Sequence, residues 1–131
     1  MTGIDLSRWN LTIPTGKIVQ TNDLQTHKSQ YFIHTAEFTR FVVPHGFDGA
    51  GTTPNSKYLR SELRETLPNG ADNEANWKIG SAPLHALVAT CQIDSFAASG
   101  KMIVGQIHGE GDKPPMKLQA TRIAGTNTFE L

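Results

Sequence analysis

Short runs of apolar and β-branched residues, each closed by a cluster of glycine, proline or asparagine, recur along this chain. The clearest runs cover residues 4–14, 38–44, 57–66, 84–93, 101–108 and 116–123. Apolar and polar residues alternate in several of them, as in a strand with one buried face, and no run has the 3.6-residue period of an amphipathic helix. Residues 22–31 read as a loop with one helical turn. The pattern predicts an all-β protein, an antiparallel β-sandwich or jelly roll.

The length of the chain limits it to one domain. Its 131 residues can enclose one core, although they are few for a two-sheet sandwich with long loops. Hydrophobic residues make up 37% and charged residues 18% of the sequence, which is the balance of a globular protein. We therefore predict a single domain that covers residues 1–131.

The charges of the chain balance, with 12 lysines and arginines against 12 acidic residues. The broad positive field of a typical nucleic-acid-binding protein is therefore missing, and we predict no such partner. No apolar run approaches the ~20 residues that span a membrane, so no membrane partner is predicted. The first residues lack the basic start and apolar stretch of a signal peptide. Either the protein is cytoplasmic or a leader has been removed.

The metal-binding and redox residues give no sign of a cofactor. The five histidines have no paired ligand spacing, and no carboxylate cluster resembles a calcium loop. The single cysteine, Cys91, has Ala89 and Ile93 on the same predicted strand face, which indicates a buried and inert thiol. The glycine-rich residues 46–51 lack a phosphate-binding signature and are interpreted as a mobile loop over a substrate groove.

A polar stripe runs along the predicted strand at residues 57–66. Tyr58, Arg60, Glu62 and Arg64 occupy alternate positions there, so they should share one face, with the intervening leucines facing the core. Taken alone, this stripe is most simply an exposed strand surface with an ion pair.

A second polar pair ends the predicted strand at residues 101–108. Strict alternation places Gln106 and His108 on one face together with Met102 and Val104. A lone histidine at a strand end is commonly structural, but a polar pair that ends an apolar run, just before a glycine, suits the rim of a cleft.

The following predicted strand adds a third polar stripe, in which Lys117 and Gln119 share a face. This stripe can line the same groove. We expect the residues that bind substrate there to be Tyr58, Glu62, Arg64, Lys117 and Gln119.

These side chains match the requirements of β-elimination on a uronate sugar. The carboxylate beside C5 must be neutralised and the resulting enolate-like anion stabilised, which Arg60 and Gln106 can do by donating hydrogen bonds. His108 can take the C5 proton, because an imidazole is basic near neutral pH. We therefore predict Arg60, Gln106 and His108 as the catalytic residues, and the leaving oxygen still needs a proton donor.

The two motifs, Arg-Ser-Glu-Leu-Arg at 60–64 and Gln-Ile-His at 106–108, occur in the order that is typical of polysaccharide lyase family seven. With the leading segment at 6–14, the chain resembles the alginate lyases of that family. The resemblance implies a β-jelly roll that cleaves alginate without a cofactor, and a secreted or periplasmic location. It also implies that Trp9 packs in the core and, through Ile107, that guluronate-containing blocks are accepted.

The family resembled completes its site with tyrosine from a later motif, Tyr-Phe-Lys-x-Gly-x-Tyr-x-Gln, which this sequence does not contain. Its tyrosines are Tyr31 and Tyr58, and neither lies in such a motif. We expect the domain to be truncated at the carboxyl end, with the absent strands lost or supplied by a second chain. By itself, the chain should be inactive or nearly so.

Two other functions fit parts of the sequence. A carbohydrate-binding module or inactive lyase remnant would keep the groove and bind acidic polysaccharide without cleaving it. A glycoside hydrolase would need two carboxyl groups, such as Glu62 with Glu110 or Asp112. Glu62 lies between two arginines and should stay ionised, which makes it a poor general acid.

Overall fold

The computed structural model describes residues 4–68, 73–78, 80, 84–110, 114–126 and 128–131. Within these residues the regular structure comprises eight short strands, one 3-10 turn and one four-residue helix, and every strand pairing is antiparallel. The predicted all-β, antiparallel class is confirmed. The chain forms two compact units, Met1–Ala75 and Asn76–Leu131, and the prediction of a single domain stays a prediction.

The first unit contains two small sheets and the helix. Its elements are β1 (Trp9–Thr12), β2 (Ile18–Val19), α1 (Thr21–Leu24), β3 (Phe32–His34), β4 (Thr39–Phe41) and β5 (Glu62–Glu65). One sheet has the order β2-β1-β5, and β3 pairs with β4 in the other. Helix α1 is the single helical turn that the polar segment 22–31 predicts.

The strand predicted at residues 4–14 is shorter than the sequence suggests. Residues Leu6–Arg8 form a 3-10 turn instead, because the Asp5 side chain accepts a hydrogen bond from the backbone N–H of Ser7 at 2.9 Å. That hydrogen bond holds the pKa of the Asp5 carboxyl below its ordinary value. After β1, the backbone turns at Gly16, whose N–H donates to the Ile13 carbonyl at 2.9 Å.

Two glycines allow the end of this turn to meet the glycine-rich loop. Gly16 has a φ of +79° and lies so close to Thr52 that an added Cβ would stand 2.8 Å from the Thr52 carbonyl oxygen. At Gly51, a Cβ would stand 2.5 Å from the Thr15 oxygen, and the Gly51 N–H donates to Pro14 at 2.9 Å. The loop predicted to be mobile is therefore anchored at its carboxyl end.

A hydrophobic cluster fills the first unit. Its buried members are Leu6, Leu11, Ile13, Val19, Leu24 and Phe32. Trp9, Tyr31 and Leu63 pack against this cluster, so the expected core role of Trp9 is confirmed. The register pairs Leu63 with Leu11, which explains how the first motif strand contributes its leucine to the core.

The second unit contains one sheet with the order β6-β7-β8. Its strands are β6 (Lys101–Ile107), β7 (Met116–Arg122) and β8 (Phe129–Glu130). The strands predicted at 101–108 and 116–123 thus agree with β6 and β7 to within one residue. None of the helices among the described residues is long and apolar enough to cross a membrane.

The strand predicted at residues 84–93 is wrong. These residues pair with no strand, and most of their apolar side chains are exposed, Leu84 by 76% and Val88 by 92%. Cys91 is exposed as well, so the predicted burial of its thiol is also wrong. β-branched residues favour a strand only where a neighbour accepts the backbone hydrogen bonds, and the sequence of one segment cannot reveal whether that neighbour exists.

Candidate active site

The strand that carries the first motif is shorter than predicted. Strand β5 begins at Glu62, so Tyr58 and Arg60 precede it in irregular chain. Tyr58 is 79% exposed. The alternation of a strand therefore does not determine the positions of Tyr58 and Arg60, which are predicted to share a face with Glu62 and Arg64. Glu62 and Arg64 do lie on the strand, opposite Thr12 and Asn10 of β1.

Arg60 is held by two oxygen acceptors. One guanidinium nitrogen, Nη1, donates to Glu62 Oε2 at 2.9 Å, and the other, Nη2, donates to Ser56 Oγ at 2.6 Å. Ser56 is itself fixed, because its hydroxyl bonds to the backbone of Tyr58. The side chain of Arg60 remains 34% exposed. This guanidinium is therefore oriented in advance and still open to solvent on one side.

Arg64 is more enclosed than Arg60. Its side chain is 14% exposed, and its Nη2 lies 3.2 Å from Glu74 Oε2. Burial lowers the pKa of the Arg64 guanidinium from its ordinary value, whereas the charges of Glu74 and Glu62 act in the opposite direction. Backbone pairing of Thr66 with Glu74 brings the glutamate into place. The ion pair of Arg64 with Glu74 is suited to anchoring strand β5. Substrate binding by Arg64 and Glu62 stays a prediction.

Sequence reasoning missed two of the acceptors that hold these arginines, Ser56 and Glu74. Ser56 lies in a loop four residues before Arg60, and Glu74 lies nine residues after the end of β5. Nothing in the sequence distinguishes Ser56 from other loop serines. Glu74 could have been found only if its backbone pairing with Thr66 had been recognised.

The second motif lies where β6 ends. Gln106 is within the strand, and His108 follows its last residue. The backbone N–H of Trp77 donates to the His108 carbonyl at 2.8 Å, and Trp77 also bridges to Gly109. The His108 imidazole is half-buried, with its Nε2 shielded from solvent. The backbone of His108 is thus fixed at the point where the strand gives way to a loop.

An aromatic pair stands beside this strand end. The rings of Trp77 and His85 stack with centroids 4.4 Å apart and an interplanar angle of 25°. This contact belongs to the segment in which a strand was wrongly predicted.

A β-bulge changes the faces predicted for the second motif. Ile103 pairs with Gln119 and Gly105 pairs with Leu118, so Val104 has no partner in the register. Because paired residues share a face, Gln106 lies on the opposite face from Met102. The predicted shared face of Met102 and Gln106 is therefore wrong, since period-two alternation fails at a bulge.

The same bulge joins two of the predicted polar stripes. Gln106 pairs directly with Lys117 of β7, and Gln119 lies two residues further along the same face. Lys117 and Gln119 are both exposed, and Gln106 is half-buried. The second unit thus assembles three of the predicted site residues on one surface.

The predicted site is divided between the two units. Arg60 belongs to the first unit, and Gln106 and His108 belong to the second. Each group is positioned within its own unit, and the convergence of the three side chains on one sugar stays a prediction.

Within the described residues, no group of three or more His, Cys, Asp or Glu side chains could hold a metal ion. Asp112, one carboxyl group of the alternative hydrolase pair, lies outside the described residues. The carboxylate of Glu62, the other, accepts a hydrogen bond from Arg60 Nη1 at 2.9 Å.

Comparison with known proteins identifies the family. The family model described as alginate lyase matches residues 4–129. A curated alginate lyase of Klebsiella pneumoniae is 30% identical over 141 aligned residues, which cover 84% of this chain and 46% of that protein. The chain thus spans less than half the length of this relative. No solved structure matches the chain. With both motifs inside the matched range, the chain belongs to the alginate lyase family.

Proposed function

We propose that this chain carries the part of an alginate lyase that grips the substrate and removes its proton, and that it resembles polysaccharide lyase family seven. The reaction is β-elimination, which leaves an unsaturated uronate at the new non-reducing end. The observation that carries the proposal is the Arg60 guanidinium, oriented by Ser56 and Glu62, in a chain that matches the alginate lyase family. Alginate is the proposed substrate, and the proposed location is secreted or periplasmic.

Arg60 is assigned to the substrate carboxylate. Two of its donors are taken by Ser56 and Glu62, but a guanidinium has five N–H groups in a planar fork, so others remain for a carboxylate. Because the fork is already held, little conformational entropy is lost when a substrate binds. The positive charge then stabilises the anion that forms when C5 loses its proton.

Gln106 and His108 are assigned to the same sugar. The Gln106 amide donates a second hydrogen bond to the carboxylate, which helps to spread the developing negative charge. The His108 imidazole accepts the C5 proton as the general base. As the C5–H electrons form the C4–C5 double bond, the bond from C4 to the glycosidic oxygen breaks.

The leaving oxygen must gain a proton, and neither tyrosine of this chain is placed as an evident donor. Tyr31 packs against the core, with its ring centroid 5.5 Å from that of Phe47. Tyr58 is 79% exposed. We assign the donor to a tyrosine supplied by a further segment or by a second chain, as the family resemblance implies.

The alternative proposal is a module that binds acidic polysaccharide without cleaving it. The observation in its favour is that Tyr31 packs against the core and Tyr58 is exposed, so that neither tyrosine, among the described residues, is placed as an evident general acid. Binding without turnover would then be its whole function.

The test compares this chain with an extended chain, in which a segment with the family's Tyr-Phe-Lys-x-Gly-x-Tyr-x-Gln motif is added. Ultraviolet absorbance reports the unsaturated product that only a lyase forms. We expect the extended chain to cleave alginate and the 131-residue chain to be slower by ~100-fold or more, the usual contribution of general acid catalysis. An extended, folded chain that binds alginate but releases no unsaturated product would favour the binding module.

A further inference from the structure

The face of β6 and β7 that carries Gln106 also carries a cation, Lys117, with no acidic partner among the residues that the structure describes. Lys117 is exposed, and its ammonium makes no ion pair within the described residues. Three arginines of the first unit differ, since Arg8, Arg60 and Arg64 each lie within 3.2 Å of a glutamate. The charge of Lys117 is therefore available to an anionic ligand.

The strand register places this charge beside the second motif. Lys117 pairs directly with Gln106, and paired side chains have their Cβ atoms about 4.5 to 5.5 Å apart. An ammonium and an amide can thus reach neighbouring anionic groups on one ligand. Gln119, two residues from Lys117 on the same face, adds a neutral hydrogen-bonding group.

The bulge at Val104 determines this pairing. A regular ladder continued from the Ile103–Gln119 pair would set Gln106 opposite Met116, on the apolar side of the sheet. The extra residue moves the pairing by one position, so that Gln106 meets Lys117 instead. Gly105 follows the bulge, and a Cβ there would lie 3.2 Å from a methyl group of Leu87.

We infer that Lys117 binds the carboxylate of the uronate next to the sugar held by Gln106. Gln119 hydrogen-bonds to the same ligand, so that Gln106, Lys117 and Gln119 form one binding strip on this face. The inference rests on the proposed function, because it names a second sugar of the same acidic polysaccharide. A polyuronate presents one carboxylate on every sugar. A flexible ammonium suits such a ligand, since it can follow carboxylates of different orientation.

Lys101 provides a matched control on the same face. It pairs with Thr121, which in turn pairs with Glu130 of β8, so a carboxylate lies on the face at that end of the strip. Thr121 is four residues from Lys117 along β7, a separation of about 13 Å. Lys101 therefore shares the charge and exposure of Lys117 but not its position beside Gln106.

The first arm of the test examines the register, without activity. In a Cys91→Ser background, the pair Gln106→Cys with Lys117→Cys should form a disulfide, because directly opposed residues have the required spacing. The pair Gln106→Cys with Met116→Cys should not. A disulfide in the second pair and none in the first would overturn the inference.

The second arm measures calorimetric binding of an alginate oligosaccharide and of its uncharged methyl ester. Lys117→Gln should weaken binding of the charged oligosaccharide about two- to fivefold, the size expected of an exposed ion pair, and the difference should shrink at high salt. Binding of the methyl ester should not change, and Lys101→Gln should match the unsubstituted chain on both ligands.

Equal effects of Lys117→Gln and Lys101→Gln, or an equal loss on the methyl ester, would overturn the inference and leave the lyase proposal standing. The experiment can also support the inference while it rejects the lyase proposal. A selective effect of Lys117→Gln, in a chain whose extended form releases no unsaturated product, would support the binding strip and reject the lyase. Failure of the unsubstituted chain to bind the charged oligosaccharide would overturn the inference.

Discussion

The two units differ in how their apolar residues are used. In the first unit, six apolar side chains form a buried cluster, and Leu11 is fully buried. Among the described residues of the second unit, the buried hydrophobic core is limited to Ala120. Leu87 is 52% and Leu118 38% exposed. Each strand of the second unit pairs with the strand that follows it in the sequence. Cross-strand side-chain pairs can therefore set the register there without a large buried cluster. The comparison teaches that buried apolar packing stabilises the first unit, whereas strand pairing that positions polar side chains on a surface characterises the second.

The largest expected effect follows from this contrast in burial. Leu11→Ala should lower the free energy of unfolding by about 2 to 5 kcal/mol, because it opens a cavity in a packed core. Leu118→Ala, at a site that is 38% exposed, should cost less than about 1 kcal/mol. Urea unfolding followed by tryptophan fluorescence measures both variants. Equal losses would show that the second unit is packed as tightly as the first.

Arg60→Ala should act on catalysis and leave folding nearly intact. In the extended chain, loss of one oriented donor to the developing anion should lower kcat by about 100- to 1,000-fold. Arg8→Ala is the matched control, because Arg8 also pairs with a glutamate, at 3.1 Å, and is 48% exposed. Rates are read from the ultraviolet absorbance of the product. Equal rates for the two variants would refute the proposed carboxylate grip.

Glu74→Gln tests whether the enclosed arginine of the first unit has a structural role. It removes the Glu74 carboxylate that lies 3.2 Å from Arg64, whose side chain is 14% exposed. Because Glu74 itself is 52% exposed, we expect a loss of about 1 kcal/mol in unfolding free energy. A change in alginate binding at unchanged stability would instead assign Arg64 to the substrate.

The smallest effect should come from Asp5. Its pKa is lowered in the folded chain, so the ionised carboxyl stabilises the fold above its unfolded pKa of ~3.9. That contribution is lost as the pH falls through the lower, folded pKa. The difference in melting temperature between the unsubstituted chain and Asp5→Asn should therefore be positive near neutral pH and shrink below about pH 4. A difference that grows on acidification would contradict the proposed hydrogen bond.

The sequence predicts the strand class and the bounds of β6 and β7 well, because β-prone runs there are bounded by glycine and proline residues. It fails at residues 84–93, where β-prone residues lack a pairing partner, and at Val104, where a bulge breaks the period of two. It predicts Arg60 as a site residue, but it does not point to Ser56, whose hydroxyl accepts a hydrogen bond from the Arg60 guanidinium. This contact is local, but it lies in irregular chain without a repeating period, so no sequence pattern records it.

The central claim is that Arg60, Gln106 and His108 act on one sugar. A crystal structure of the chain with a bound alginate oligosaccharide tests it most directly. We predict that donors of Arg60 and Gln106 lie about 3 Å from oxygens of one carboxylate, with the His108 ring beside C5 of the same sugar. A structure in which Arg60 and His108 lie on opposite faces, or contact different sugars, would contradict the account.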